Sequence, residues 1–416
     1  MSFRLRGRVA AVCGRRIRLR IPAAIVGDSA LVGGEGAHVL GAIERVERDG
    51  ATLSAHGDAT GIACGDFATI ERPAPRASLG LAALGRTLDA RGRAGDGGPP
   101  VDGLPLRAKG ASMERVAVSE PLWTGIRAID GLLSIGRGAR FGIYGAPGAG
   151  KSTLLSLIAK AVSADAVVMA LVGERHREAT EWRARVDART SLVVATCDRP
   201  PDERVAAAKL ALAQARSLCE RGLDVVVLLD SLARFASALR DVAVAAEEPI
   251  GRGGYPPSVF AGLARLLESA GPCRSGSVSL IATVLSEGPD ELDPVCTGTR
   301  ALLDGHLVLS SAIAAAGRFP AIDLLASSSR TMQHVASREH ASAARIVRRR
   351  CAAITSTAEL RGLGIADNDP YATADEARLE AFLRQEGEAN DPERTLEELH
   401  RLADILGERS WTSPAT

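Results

Sequence analysis

The segment FGIYGAPGAGKST (141–153) constrains this chain more than any other. Gly145 is followed, after four residues, by Gly150, Lys151 and Ser152. The apolar residues before the loop read as a strand, and Thr153–Val162 reads as a helix. Strand, glycine-rich loop and helix in that order form a nucleotide phosphate loop. Each residue type has a reason to be there. Glycine lets backbone N–H groups turn toward an anion. The helix N-terminus adds partial positive charge. Lys151 is expected to reach the β- and γ-phosphates, and the Ser152 hydroxyl to ligate Mg²⁺. Only four Lys occur among 51 basic residues, so a lysine at this position is not filler. Gly145, Ala146, Pro147, Gly148, Ala149, Gly150, Lys151, Ser152 and Thr153 are thus expected to bind nucleotide.

Such a loop needs a sheet to carry it. Apolar runs at 167–172, 191–195, 225–229 and 278–285 are short and do not alternate, as in buried parallel strands. Helical patterns at 151–162, 203–220 and 231–246 lie between them, which gives an α/β fold with a mostly parallel sheet. Asp230 ends the run VVVLLD and is expected to hold Mg²⁺ through water; a plain cap of the next helix is the alternative. Ser231 follows it, so the group that activates water must come from elsewhere. Glu174, in LVGERHRE, is the candidate if its strand neighbours the phosphate-loop strand. A surface Glu paired with Arg175 or Arg177 is the other reading. No Asn-Lys-x-Asp guanine-reading motif occurs, which favours ATP.

The flanks differ in pattern. In residues 1–75, Arg16, Arg18 and Arg20 alternate with Ile17, Leu19 and Ile21, the period of a half-buried strand. Gly27-Asp28, Gly33-Gly34, Asp49-Gly50 and Gly57-Asp58 punctuate at hairpin spacing, so a small β-barrel or sandwich is expected. Residues 76–110 are rich in Pro, Gly and Arg and read as a linker. Residues 338–416 read as helices, with breaks near Gly364–Pro370 and Gly387–Pro392.

Composition excludes other classes. The net charge is +1, so the chain is not a polybasic nucleic-acid or membrane binder as a whole. Residues 1–20 nevertheless hold seven Arg and no acid. Aromatics are 3%, too few for a base-stacking surface, and no nucleic-acid partner is expected. The seven Cys are scattered with no CxxC pair, which argues against a disulfide framework or a zinc site. No apolar run reaches about 18 residues and no signal peptide is visible, so a cytoplasmic protein is expected.

With these residues in hand, a family resemblance can be stated. EPLWTGIRAIDGLLSIGRGARFGIYGAPGAGKSTLL (120–155), VGERHRE (172–178), LLDSLARF (228–235), GYPPSVFAGLARLLE (254–268), LDGHLVLS (303–310) and FPAIDLLASSSR (319–330) resemble the type III protein-export ATPases. These are the ATPases of bacterial injectisomes and of the flagellar export apparatus, related to the catalytic subunit of rotary ATP synthases. The match runs from about residue 7 to 345, and more loosely to LEAFLRQ near 385.

The resemblance implies an N-terminal β-barrel (1–75), a linker (76–110), a RecA-like ATPase domain (111–345) and a C-terminal helical domain (346–416). It implies a homohexamer with ATP at subunit interfaces and an ATP-hydrolysing motor that releases chaperones and unfolds secreted substrates. Its partners would be those substrates and chaperones, a central stalk and stator or regulator proteins, at the cytoplasmic face of the inner membrane. The resemblance makes Glu174 the catalytic carboxylate, with Arg175 beside it as a phosphate-side or structural arginine. It makes Arg330 an arginine finger reaching a neighbour's γ-phosphate, puts Phe319 on adenine and Arg234 near the phosphates, and turns the loop 251–260 toward a central pore. An intrahelical salt bridge is the alternative for Arg234.

The departures are Ser311 where the family commonly has Arg, Arg318 where it has His, and Phe319 where it has Tyr. Residues 289–299 and 355–375 also match poorly. The divergent loops favour an injectisome over a flagellum. A non-catalytic rotary subunit and a hexameric nucleic-acid motor are the other readings. Glu174 argues against the first. The second would need aromatics that residues 1–80, with only Phe3 and Phe67, do not supply.

Overall fold

The computed structural model describes residues 4–34, 36–71, 79–101, 116–285, 293–362, 371–385, 387 and 389–407. Residues 289–292 of the divergent run, the break at 364–370 and the ends of the expected linker (76–78 and 102–110) lie outside the described residues.

Six strands close into an N-terminal barrel: β1 (Arg4–Cys13), β2 (Arg16–Arg20), β3 (Ser29–Gly33), β4 (His38–Glu47), β5 (Gly50–Ala55) and β6 (Phe67–Glu71). The strand order is β1-β2-β5-β4-β3-β6, which resolves the barrel-or-sandwich question in favour of the barrel. Alternation builds it. Ile17 and Leu19 point inward and are fully buried, while Arg18 and Arg20 face solvent. Ile43, Leu53 and Ile70 fill the remaining interior.

The second sheet runs β17-β16-β10-β15-β13-β11-β12-β7. Its strands are β7 (Thr87–Asp89), β10 (Arg140–Gly145), β11 (Ala166–Val172), β12 (Thr190–Ala195), β13 (Asp224–Asp230), β15 (Ser277–Leu285), β16 (Gly305–Leu309) and β17 (Ile322–Ser329). All neighbours are parallel except β17, which runs against β16. The short β14 (Gly271–Pro272) folds back on β15, and β8 (Pro121–Leu122) pairs with β9 (Ile135–Gly136). Strand residues alternate between two cores. Tyr144, Val168, Val227 and Ala282 face one core, and Ile143, Met169, Leu228 and Ile281 face the other.

Helices cover both faces, as the parallel strands at the centre of the sheet require. The first core takes α4 (Pro201–Cys219), α5 (Leu232–Ala245), α6 (Pro257–Leu267) and α7 (Pro294–Leu302). The second takes α1 (Arg127–Leu132), α2 (Lys151–Ala161), α3 (His176–Arg183), α10 (Arg338–Gly362), α11 (Ala372–Leu383) and α12 (Pro392–Gly407). Two short helices, α8 (Ser311–Ala315) and α9 (Met332–Val335), flank β17.

Three expectations are corrected. Residues 87–89, read as linker, form the edge strand β7, because Thr87, Leu88 and Asp89 complete the open side of β12. The strand bearing Glu174 does not neighbour the phosphate-loop strand, since β13 and β15 lie between β11 and β10. Cys219 and Cys273, 54 residues apart, are joined in a disulfide. The pairing of β14 with β15 brings Cys273 back to the end of α4, a proximity no spacing rule encodes.

Polar contacts, most of them half-buried, tie the parts together. Barrel residue Arg15 pairs with Asp202 at 2.6 Å, in the first turn of α4. At the other end, Gln385 Nε2 donates to the Gly125 carbonyl (2.7 Å), and Arg127 N donates to Gln385 Oε1 (2.9 Å). Arg127 also pairs with Glu398 of α12 at 2.9 Å. Arg318, one of the departures from the family pattern, pairs with Glu380 of α11 at 2.9 Å.

Candidate active site

The phosphate loop follows β10, and its register places Gly145 at the C-terminal end of that strand, level with Leu285. Gly150 has φ +93°, a left-handed conformation that L side chains rarely adopt, and α2 starts at the next residue. The ammonium of Lys151 donates to the carbonyls of Gly145 and Ala146, each at 2.7 Å, and so lies across the loop. Ser152 opens the helix beside it. Its hydroxyl donates to Asp230 Oδ2 at 3.2 Å.

Asp230 is held from two sides. Its Oδ1 accepts from the Thr283 hydroxyl at 2.6 Å, across the β13–β15 pair. Burial pushes its carboxyl above the ordinary range, while Thr283, Ser152, Lys151 and Arg234 pull it down. The cap of α5 is the neighbouring Ser231, whose hydroxyl accepts from Arg234 N at 3.3 Å. The helix-cap reading of Asp230 therefore does not hold.

Glu174 comes to the same edge from β11. Its Oε1 lies 2.7 Å from Arg234 Nε, so neither the pairing with Arg175 or Arg177 nor an intrahelical bridge for Arg234 describes the structure. Arg177 pairs with Glu181 instead. Burial and the nearby Asp230 push the Glu174 carboxyl up to about 7, against the pull of Arg234. The preceding Gly173 has φ +74°, and a Cβ there would lie 3.1 Å from Arg234 Cδ. Glycine thus gives the turn its shape and leaves room for the guanidinium.

Arg175 is exposed; its backbone N–H donates to Glu178 at 2.7 Å, and its guanidinium has no ion pair among the described residues. Phe319 is 47% exposed, on the loop between α8 and β17. The connection from β16 to α8 starts at Leu309, whose carbonyl a Cβ on Gly145 would meet at 2.9 Å, so the segment that leads to Phe319 begins against the phosphate loop.

Arg330 sits at the other end of the sheet. Ser329 is level with Gly305, and Gly305 with Phe141, four residues before Gly145. Four residues of strand are about 13 Å, and two strand spacings add about 10 Å sideways. Arg330 is exposed, with its backbone N–H donating to Asp304 O at 2.9 Å. It is therefore not beside the phosphate loop of its own chain.

The nucleotide-binding domain model of the ATP synthase alpha/beta family matches residues 125–329. A type 3 secretion system ATPase of Sinorhizobium fredii is 40% identical over 96% of this chain and 92% of its own length. The chain belongs to the type III secretion ATPase family. It is an ATP-hydrolysing enzyme of type III protein export. A flagellum-specific ATP synthase of Bacillus subtilis is 34% identical over 98% of this chain and 96% of its own length. Among solved structures, the assembled ATPase EscN of the enteropathogenic E. coli type III secretion system superposes with a TM-score of 0.87. It is 36% identical and covers 95% of this chain and 100% of that one. EscN in complex with its central stalk EscO gives the same TM-score at 35% identity, over the same shares of the two chains.

In this type III ATPase the loop after α5 is compact. Gly253 has φ +64° and packs against Pro294, where a Cβ would lie 2.5 Å from Cγ. Tyr255 lies 6.1 Å from the Phe260 ring, with Arg240 5.7 Å over its face. Sequence reasoning missed two residues of the site. Thr283, the partner of Asp230, is one of the hydroxyls that interrupt the apolar run of β15, with Ser279 the other in 278–285, and that interruption was its signal. Gly173 had no signal beyond being glycine.

Proposed function

We propose that this chain is the hexameric motor of an injectisome-type secretion system, and that the edge formed by β10, β13 and β11 is its hydrolytic site. The observation that carries this reading is the convergence of Lys151, Ser152, Asp230, Glu174 and Arg234 on one sheet edge. Residues 145–153 cradle the phosphates of ATP through backbone N–H groups, and Lys151 neutralises charge on them. Ser152 and Asp230 offer a hydroxyl and a carboxylate oxygen 3.2 Å apart, the hard oxygen donors that suit Mg²⁺. Mg²⁺ held by Ser152 and Asp230 would supply charge neutralisation for the phosphates. Glu174 orients the attacking water and takes its proton, and Arg234 holds that carboxylate in place. Phe319 stacks on the adenine.

Arg330 acts on the γ-phosphate held by a neighbouring subunit, with Arg175 at the same shared interface. Its position at the far end of the sheet supports donation in trans. Such sites need a ring, and the likeness to assembled EscN supports a homohexamer. The likeness to EscN with EscO supports a central stalk that meets the loop at 251–260. In the division we propose, 1–75 builds the ring, 111–345 hydrolyses ATP on a sheet whose edge strand β7 comes from the segment 76–110, and 346–416 docks cargo and chaperones. The motor works in the cytoplasm at the inner membrane with its stator, freeing chaperones and unfolding cargo. Among the described residues no helix is long and apolar enough to cross a membrane.

Glu174→Gln tests the site. The expected outcome is unchanged ADP affinity by calorimetry with hydrolysis reduced about 10²–10⁴-fold. Near-normal turnover would remove Glu174 from the mechanism.

A further inference from the structure

A cavity lies away from the phosphate loop. It is a cleft of about 640 Å³ between the barrel, the β7 strand and α3, a size that suits a small molecule. It opens at the junction of two folded units, where ligand sites recur.

Its walls are of two kinds. Leu31 and Val194 make an accessible apolar side, backed by the buried Val39 and Leu88. Arg91, Arg93, Arg183 and Arg199 line the rest, with Asp58, Asp89 and Glu203 as the only acids. Two arginines are already matched. Arg91 pairs with Glu203 at 2.9 Å, and Arg93 with Asp89 at 2.7 Å. The third acid, Asp58, accepts from the Thr60 hydroxyl (2.7 Å) and the Thr60 N–H (2.9 Å). Arg183 and Arg199 form no ion pair among the described residues, with Asp198 acting on Arg199 through its field alone; of the histidines beside them, His176 pairs with Asp198 at 3.0 Å and His56 with Asp202 at 3.4 Å. Planar guanidinium donors outside any ion pair, in a cleft that also carries apolar side chains, match an anion with a flat apolar body.

We propose that this cleft binds a phosphate monoester of an aromatic or similarly flat molecule, at a site separate from the ATP site. Arg183 and Arg199 take the phosphate, and the Leu31 wall takes the body. The cleft also has a route to the catalytic edge. His176 lines it and opens α3, two residues after Glu174. Cys197 N donates to the Glu174 carbonyl at 2.9 Å, and Gly173 N to the Ala195 carbonyl at 2.7 Å. A ligand bridging the barrel and α3 therefore bears on the loop that carries Glu174, and this consequence alone rests on the role proposed for Glu174.

The test uses 1-naphthyl phosphate as probe, titrated calorimetrically into the full chain with saturating Mg·ADP present. The expected result is saturable binding, one probe per chain, that ADP does not displace. Arg183→Glu with Arg199→Glu should weaken it at least tenfold. Leu31→Trp, at a partly exposed position, should weaken it through the apolar wall and covers the chance that the double variant misfolds. Lys151→Ala should leave probe binding unchanged. Three results would each overturn the proposal: no saturable binding, displacement by ADP or loss in Lys151→Ala, or full retention in both cleft variants. None of them touches the hydrolytic role of Glu174, which the Gln variant tests by itself.

Discussion

Glu174 draws its chemistry from two residues about 60 positions away. Desolvation and Asp230 hold its carboxyl near 7, and Arg234 limits the rise. A carboxyl raised to that level is protonated below it and cannot accept a proton from water. The log of kcat/KM, which reports the free enzyme, should therefore rise through about pH 7 and then level. Arg234→Ala removes the group that lowers this value, so the acid limb should move to higher pH. A limb that stays in place would show that another group titrates.

Asp130 is the second residue to probe. It is fully buried, and its Oδ1 accepts from Thr124 N (2.8 Å) and the Thr124 hydroxyl (2.7 Å), its Oδ2 from Gly125 N (2.8 Å). Asp130→Asn sets an amide N–H against one of these donors. The expected cost is about 1–3 kcal/mol of stability, read as a lower urea midpoint.

At the scale of elements, loops carry the function and strands aim them. β13 ends in Asp230 and β11 leads into Glu174, and both strands are fully buried over most of their length. Their rigidity is what allows Glu174 and Arg234 to meet at 2.7 Å. The loop at 251–256 is built differently. Gly253 and Pro294 shape its turn, and Tyr255 is half-buried, resting on Arg240 and Phe260 at the edge of the first core. Tyr255→Ala should therefore spare ATP affinity and basal hydrolysis. It should remove at least half of the stimulation by the central stalk protein, measured as turnover with and without it. Full stimulation would take this loop out of the coupling path.

At the scale of the molecule, the antiparallel return of β17 matters most. It carries Arg330 away from its own phosphate loop, so the proposed site is complete only when two chains meet. Arg330→Ala should lower hydrolysis about 10³-fold or more, the worth of an arginine finger. Adding Lys151→Ala subunits, which keep Arg330 and lack hydrolysis of their own, should restore part of the activity. Mixed rings without rescue would argue against donation in trans.

Much of this was legible in the sequence for local reasons. The phosphate loop, its helix and the buried strands follow from glycine placement and apolar runs, which act over a few residues. The alternation of Arg and Ile in β2 likewise encodes a barrel strand. Other features are not local. That β13 and β15 separate β11 from β10 depends on strand order, which no run of residues states. Thr87–Asp89 became a strand because β12 had an open edge to fill. Glu174 found Arg234, and Cys219 found Cys273, through packing across the sheet and at the end of α4. The sequence by itself thus determined which chemical groups the chain possesses and the turns and strands that present them. The tertiary structure decided which of those groups meet, because contacts between distant residues depend on sheet order and core packing rather than on spacing along the chain.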